Sequence, residues 1–309
     1  MKLSIVATLY KSAPYVNEFY ARSSAVAKQL AGDDFEIILV NDGSPDDSLD
    51  IARSLSDYDP HVVVVDLSRN FGHHKAMMTG LAHTKGELTF LIDSDLEEEP
   101  EWLMNFEIQL KKQKCDVVYG VQKRRKGNWY ERWSGKIFYS FFKAFTGLPL
   151  PENLVTARLM TRRYVDALLL HREREILIAG LWYLTGFEQH PYLVSKHSTS
   201  ETTYTLGKKL SIVVKSVTSF SSLPLVIIFY VGCCVSLMAA GYMIYIVASW
   251  FVFARPLVGW ASIIASIWLL GGTTILFLGV IGIYLSKIFS ETKQRPYTIV
   301  RQVYGRKKL

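Results

Sequence analysis

The 309-residue chain lacks charge in two long stretches. Residues 216–254 contain no Asp, Glu, Lys or Arg, and residues 256–286 contain none either. Soluble helices rarely stay uncharged for so long, and about 20 apolar residues suffice to cross a bilayer core. Each stretch therefore predicts one transmembrane helix, over about 225–252 and 259–286, with Arg255-Pro256 at the turn. Cysteine is scarce as well. Cys115, Cys233 and Cys234 have no CxxC spacing, which excludes a zinc-ribbon or disulfide framework and leaves them to apolar packing. A cleavable signal is missing: the apolar run in MKLSIVATLY is too short and leads straight into a domain. Internal repeats and low-complexity segments are absent too.

What charge there is has a pattern. The net charge is +7, from 35 Lys and Arg against 28 Asp and Glu. Lys208, Lys209 and Lys215 precede the first span, while Lys287, Lys293, Arg295, Arg301, Arg306, Lys307 and Lys308 follow the second. Only Arg255 lies between them. Positive residues favour the cytoplasmic side, so the N-terminal domain, both termini and a basic tail over 290–309 are expected inside the plasma (inner) membrane. Basic clusters at membrane edges attract anionic headgroups rather than nucleic acid.

Residues 1–204 read as a soluble α/β domain. Apolar runs at 3–9, 35–40, 62–67, 88–92 and 116–120 predict strands. Helical patterns occupy 14–30, 48–55, 75–83 and 101–111. Strands alternating with helices indicate a mostly parallel, Rossmann-like sheet, and fully apolar strands fit a sheet covered on both faces. Residues 129–146 interleave aromatic with basic side chains, as an interfacial amphipathic helix or a core-packing one would. Residues 205–222 form a second amphipathic candidate leading into the first span.

In an open parallel sheet, ligands bind beyond the carboxyl ends of the strands. The polar signals cluster there. Asn41-Asp42-Gly43-Ser44 follows the second strand, His73-His74-Lys75 lies beyond the third, and Asp93-Ser94-Asp95 follows the fourth. Two carboxylates spaced i, i+2 after a buried strand can approach one hard cation, Mg2+ or Mn2+, that shares its shell with a diphosphate. Such an ion would stabilise a departing diphosphate. The competing reading is a solvated acidic turn, since Glu97-Glu98-Glu99 follows. Asp42 has two readings, a contact to base or ribose and an Asx turn before Gly43. His73-His74 has no zinc-ligand partners at suitable spacing.

In order along the chain, SIVATLY at 4–10, VNDGSPDDS at 40–48, LSRNFGHHKAMMTGL at 67–81, LIDSDLEEEPE at 91–101, ARLMTRRYV at 157–165, SFSSLPL at 219–225 and the two-span C-terminus resemble family 2 glycosyltransferases with a GT-A fold. They are most similar to the polyprenyl-phosphate branch, the dolichyl-phosphate mannose synthases and bactoprenol glycosyltransferases. The resemblance implies transfer of a sugar from a nucleotide-sugar donor, a UDP-linked hexose or N-acetylhexosamine, to undecaprenyl or another polyprenyl phosphate. It also implies inversion at the anomeric carbon, a role in cell-surface glycan such as O-antigen modification of lipopolysaccharide, and a homo-oligomer, by resemblance a tetramer.

Carried over residue by residue, Thr8, Leu9 and Tyr10 match the loop packed on the nucleotide, although most relatives have Pro at Thr8. Asp42 matches the base-contacting carboxylate, Lys75 and Gln122 lie near the donor, and Asp93 and Asp95 match the metal-binding DxD. Arg158 matches an arginine placed to meet phosphate. Thr156 stands where many relatives carry Asp, with Glu152 or Asn153 near a second acidic position. Residues 200–204 lack the family's Arg and Lys, so Lys196, Lys208 or Lys209 would supply charge to the acceptor phosphate. A processive polysaccharide synthase is disfavoured by the missing QxxRW motif and by too few spans for a conduit. A non-catalytic scaffold is disfavoured by the intact DxD.

Overall fold

The computed structural model describes residues 1–122, 153–174, 178–196, 221–253 and 259–305. The amphipathic stretch over 129–146, the segment 205–220, and Glu152, Lys208 and Lys209 lie outside them. The described chain falls into two units. One comprises the N-terminal domain together with residues from Arg295 onward, and the other contains the two long helices.

The first unit is built on one sheet. In chain order its elements are β1 (Leu3–Leu9), α1 (Val16–Ala31), β2 (Phe35–Asn41), α2 (Ser48–Tyr58), β3 (Val62–Leu67), α3 (His73–Ala82), β4 (Leu88–Leu91) and α4 (Trp102–Gln113). There follow β5 (Val117–Gln122), β6 (Leu154–Thr161), α5 (Arg162–Leu168), α6 (Ile178–Leu184), β7 (Gln189–Val194) and, after the long helices, β8 (Val300–Tyr304). The strand order is β7-β5-β6-β4-β1-β2-β3-β8. β1 pairs parallel with both β2 and β4, and β2 with β3. β6 runs antiparallel between β4 and β5, and β8 antiparallel to β3.

Strand periodicity explains the layers. Side chains alternate across a pleated strand, so Leu3, Ile5, Ala7 and Leu9 of β1 enter one apolar cluster with α1 and α4, through Phe19, Leu103 and Phe106. Val6 of the same strand, with Ile38 and Val40 of β2, enters the opposite cluster with Met77 and Met78 of α3 and Val165 of α5. Both faces are thus covered, as the uninterrupted apolar runs required.

The order β3-β2-β1-β4 contains a reversal. The chain winds outward from β1 to β3, then returns to the other side of β1 for β4. The crevice at such a switch point is the favoured ligand position of an open α/β sheet. It lies beyond the ends of β1 and β4, where Thr8 and Asp93 stand.

The sequence reading left 290–309 as a tail, whereas the structure makes Val300–Tyr304 an edge strand. Arg301 Nη2 donates to the Ser68 carbonyl at 2.7 Å, and Arg301 lies 3.3 Å from buried Asp66. Gly305 closes it with φ +82, where a Cβ would sit 2.1 Å from the Val62 carbonyl oxygen.

The second unit contains α7 (Leu223–Phe253, 31 residues) and α8 (Trp260–Thr292, 33 residues). At 1.5 Å per residue each runs roughly 45–50 Å, longer than the ~30 Å hydrocarbon core. Tyr284 Oη donates to the Ser221 carbonyl at 2.6 Å, placing the start of α7 beside the end of α8, so the two run antiparallel. Ser266–Thr292, with mean hydropathy 2.0, is long and apolar enough to cross a membrane.

One backbone position at the crevice admits only glycine. Gly43, after β2, has φ +60, and a Cβ there would lie 2.4 Å from the Asn70 amide nitrogen. A non-glycine residue meets both left-handed strain and a backbone clash. Gly43→Ala is expected to destabilise the detergent-solubilised chain by about 2 kcal/mol or more, read by denaturant unfolding. An unchanged midpoint would contradict the geometry.

Candidate active site

The switch-point crevice gathers most of the residues singled out in the sequence. Thr8 ends β1, Asp42 follows β2, His73 opens α3, and Asp93 and Asp95 follow β4. Beside them lies a cavity of about 330 Å3, whose walls include His73, Gln122, Thr156, Trp182, Lys196 and Glu98.

The acidic turn dominates the electrostatics. Asp93 is largely enclosed, and burial opposes its ionisation most strongly. His73, a hydrogen bond from Thr156 and the charge of Lys196 outweigh this and hold its carboxyl below the usual range. His73 Nε2 lies 3.2 Å from Asp93 Oδ1, and His73 Nδ1 lies 2.9 Å from Thr8 Oγ1. Asp95 Oδ1 accepts the Glu97 amide at 3.1 Å. Burial, and then the neighbouring Asp93 charge, push the Asp95 carboxyl up.

A third carboxylate belongs to the group and was missed by the sequence reading. Glu98 is fully buried, in an acidic run that reads as a solvated turn. Its two oxygens accept the backbone N–H groups of Thr156 at 2.9 Å and Ala157 at 2.8 Å, tying the acidic loop to β6. Burial, followed by the Asp93 charge, raises its carboxyl to about 8. Lys196 Nζ lies 3.0 Å from Glu97 and 3.8 Å from Glu98. Burial opposes the lysine's charge, but the carboxylates around it win and its ammonium is favoured.

Other sequence candidates fall differently. Asp42 is buried, and its two oxygens accept the amides of Phe71 at 2.7 Å and Gly72 at 3.0 Å. It braces the loop before α3. Burial still raises its carboxyl, with the two amides opposing. Leu9 points into the core, so of the three residues ending β1 only Tyr10, 49% exposed, presents its ring to solvent. Lys75 is half-buried on α3. Gln122 lines the cavity while its backbone N–H donates to the Asn153 backbone carbonyl at 3.1 Å.

Arg158 departs most from expectation. It is 1% exposed, the bulkiest fully buried side chain, and does not line the cavity. Its guanidinium lies over the Trp182 ring, and Nε donates to the Thr156 carbonyl at 3.4 Å. Burial lowers its pKa to about 9, against the pull of Tyr164 and Glu98. A guanidinium enclosed in this way supports the back of β6 and α6, since aromatic faces attract cations within about 6 Å. The Trp182 ring it stacks on forms part of the cavity wall.

Comparison with known proteins agrees with this architecture. The family model described as glycosyl transferase family 2 matches residues 4–169. A glycosyltransferase-named protein of Mycobacterium tuberculosis (strain CDC 1551 / Oshkosh) is 52% identical over 305 residues, covering 99% of this chain and 89% of its own. The prophage bactoprenol glucosyl transferase homolog of Escherichia coli (strain K12) is 28% identical over 313 residues, covering 98% of this chain and 99% of its own. Among solved structures, glucosyl-3-phosphoglycerate synthase from Mycobacterium tuberculosis is similar in fold, with TM-score 0.51 at 18% identity over 71% of this chain and 80% of that one. The family match spans more than half the chain and the mycobacterial relative nearly all of it, so the chain belongs to glycosyl transferase family 2 and is a glycosyltransferase with a GT-A fold.

Proposed function

We propose that this glycosyltransferase moves a hexose or N-acetylhexosamine from a UDP-linked donor to undecaprenyl or a similar polyprenyl phosphate. The observation that carries the reading is the enclosed carboxylate group at the end of β4, set at the switch point of the sheet. The full-length similarity to a bactoprenol glucosyl transferase homolog supports the lipid acceptor. The two long apolar helices support a membrane-anchored enzyme with its catalytic domain and termini on the cytoplasmic face. Glycan modification such as that of O-antigen, and assembly into a homo-oligomer, extend the same reading.

Two carboxylates suit a divalent cation that shares its shell with a diphosphate: Asp93 Oδ1 is buried without a hydrogen-bond partner, and Asp95 lies beside it, while among the described residues no three acidic, His or Cys side chains converge as a protein-only metal site. Asp93, Asp95, Glu97 and Glu98 crowd one loop, with the Lys196 ammonium 3.0 Å from Glu97 and 3.8 Å from Glu98 and His73 Nε2 3.2 Å from Asp93. Burial and mutual repulsion hold Asp95 and Glu98 toward their neutral forms, the signature of a site short of positive charge. Hard carboxylate oxygens suit Mg2+ or Mn2+. Asp93 and Asp95 would hold the ion, which when bound would neutralise charge on the leaving diphosphate.

The protein's own groups do the rest. Tyr10 offers an exposed ring for the base, and Gln122 a polar contact on the cavity wall near the donor. A lipid phosphate is already anionic near neutral pH, so the attacking oxygen needs no base from the enzyme; positioning is what remains. We assign Lys196, whose ammonium the surrounding carboxylates favour, to the acceptor phosphate. Arg158 acts from behind, through the Trp182 ring. One in-line attack inverts the anomeric centre, and an anchored enzyme meets a headgroup confined to the same surface.

Two outcomes follow. Asp95→Ala is expected to lower transfer from UDP-sugar to undecaprenyl phosphate by about a hundredfold or more, read by mass spectrometry of the lipid product; equal turnover would remove the metal reading. The second concerns pH. Without divalent ion, folded Glu98 keeps its proton to about pH 8, against an ordinary value of 4.5. The stability tied to that proton is present below the unfolded value and is lost as pH rises toward 8. With chelator present, the wild-type melting temperature is expected to fall relative to Glu98→Gln between pH 5 and 8, and Mn2+ with UDP to narrow the gap. A difference constant across that range would contradict the assignment.

A further inference from the structure

The acidic turn is held from beneath by the end of β1, through two separate bonds on one residue. The backbone carbonyl of Thr8 accepts the Ser94 hydroxyl at 2.7 Å, and Ser94 also lies 3.1 Å from Ser12 Oγ. The Thr8 side chain takes a different route. Its hydroxyl meets His73 Nδ1 at 2.9 Å, and His73 Nε2 faces Asp93 Oδ1 at 3.2 Å. That Asp93 oxygen is buried and accepts no hydrogen bond of ordinary geometry among the described residues, so its contact with the imidazole is electrostatic rather than an aligned hydrogen bond.

The chemistry of the imidazole fixes the direction of this chain. An ionised carboxylate only accepts, so an imidazole that faces Asp93 through Nε2 does so favourably only with a proton on that nitrogen. In the neutral ring Nδ1 is then an acceptor, and the Thr8 hydroxyl donates to it. A proline at position 8 would have no hydroxyl to offer, and valine would keep the shape of threonine without it. Position 8 therefore selects both the orientation and the tautomer of His73.

We infer that Thr8 and His73 are positioning residues for Asp93, which together orient its carboxylate toward a divalent cation bound with the donor diphosphate. This rests on the proposed cation site at Asp93 and Asp95. Groups that hydrogen-bond to metal ligands orient them and set their basicity, and losing one typically costs 10–100-fold in metal affinity. His73 also lines the cavity, so an imidazole released from Thr8 is free to turn toward the substrate and away from Asp93 Oδ1.

The test reads metal affinity rather than turnover. Full-length, detergent-solubilised protein is titrated with Mn2+ in the presence of UDP, and free Mn2+ is followed by electron paramagnetic resonance. Thr8→Val and His73→Ala are each expected to weaken Mn2+ binding about tenfold or more, while Thr8→Ser stays within about twofold of wild type and all three keep the wild-type melting temperature. His73→Gln, whose amide can donate to Asp93 without needing Thr8, is expected to make a further Thr8→Val change silent. If wild type binds Mn2+ and Asp95→Ala does not, yet Thr8→Val and His73→Ala bind as wild type does, the positioning role is overturned and the cation site stands. Equal loss in Thr8→Ser and Thr8→Val overturns it as well. If Asp95→Ala binds Mn2+ as tightly as wild type, the cation site itself falls.

Discussion

Carboxylates crowded at the end of a buried strand repel one another, and much of the crevice is arranged to contain that repulsion. Asp93, Asp95, Glu97 and Glu98 follow β4 within seven residues, at a place where water is largely excluded. In such surroundings an unpaired charge is expensive. The chain answers with Lys196 against Glu97 and Glu98, His73 against Asp93, and two backbone amides of β6 on Glu98. These leave Asp95 and Glu98 biased toward protonation. A divalent ion would complete the balance, and its arrival with a nucleotide diphosphate would couple donor binding to the electrostatics of the site.

The sheet topology makes this crowding possible. Because the chain returns past β1 to lay down β4, the ends of those two strands open on one crevice rather than on a helix. β6 then enters antiparallel beside β4, carrying Thr156 to Asp93 and the Thr156 and Ala157 amides to Glu98. A threonine at position 156 suits the same constraint. A fifth carboxylate here would add repulsion, whereas a hydroxyl donates to Asp93.

Much of this was legible in the sequence. β1 to β4 are apolar runs that end in polar turns, and burial on both faces leaves that mark. Asp93 and Asp95 stood out for their spacing at a strand end. β6 did not read as a strand because Thr156 and Arg158 interrupt its apolar pattern, and Arg158 is accommodated only by the ring of Trp182 on a later helix. β7 contains Pro191, tolerated because this is an edge strand. β8 pairs with residues more than 200 positions earlier, beyond the reach of any local pattern. Glu98 looked like part of a solvated acidic run, and its burial depends on β6 covering it. His73 gains its place only because α3 starts where β1 ends.

The central claim, that the acidic turn grips a cation shared with the donor's diphosphate, is tested most directly by crystallography with anomalous scattering. Crystals of the full-length enzyme grown with UDP and Mn2+ would be measured near the manganese absorption edge. The account predicts an anomalous peak coordinated by Asp93 and Asp95 and by oxygens of the diphosphate. A well-ordered diphosphate with no peak between it and these two carboxylates would contradict it.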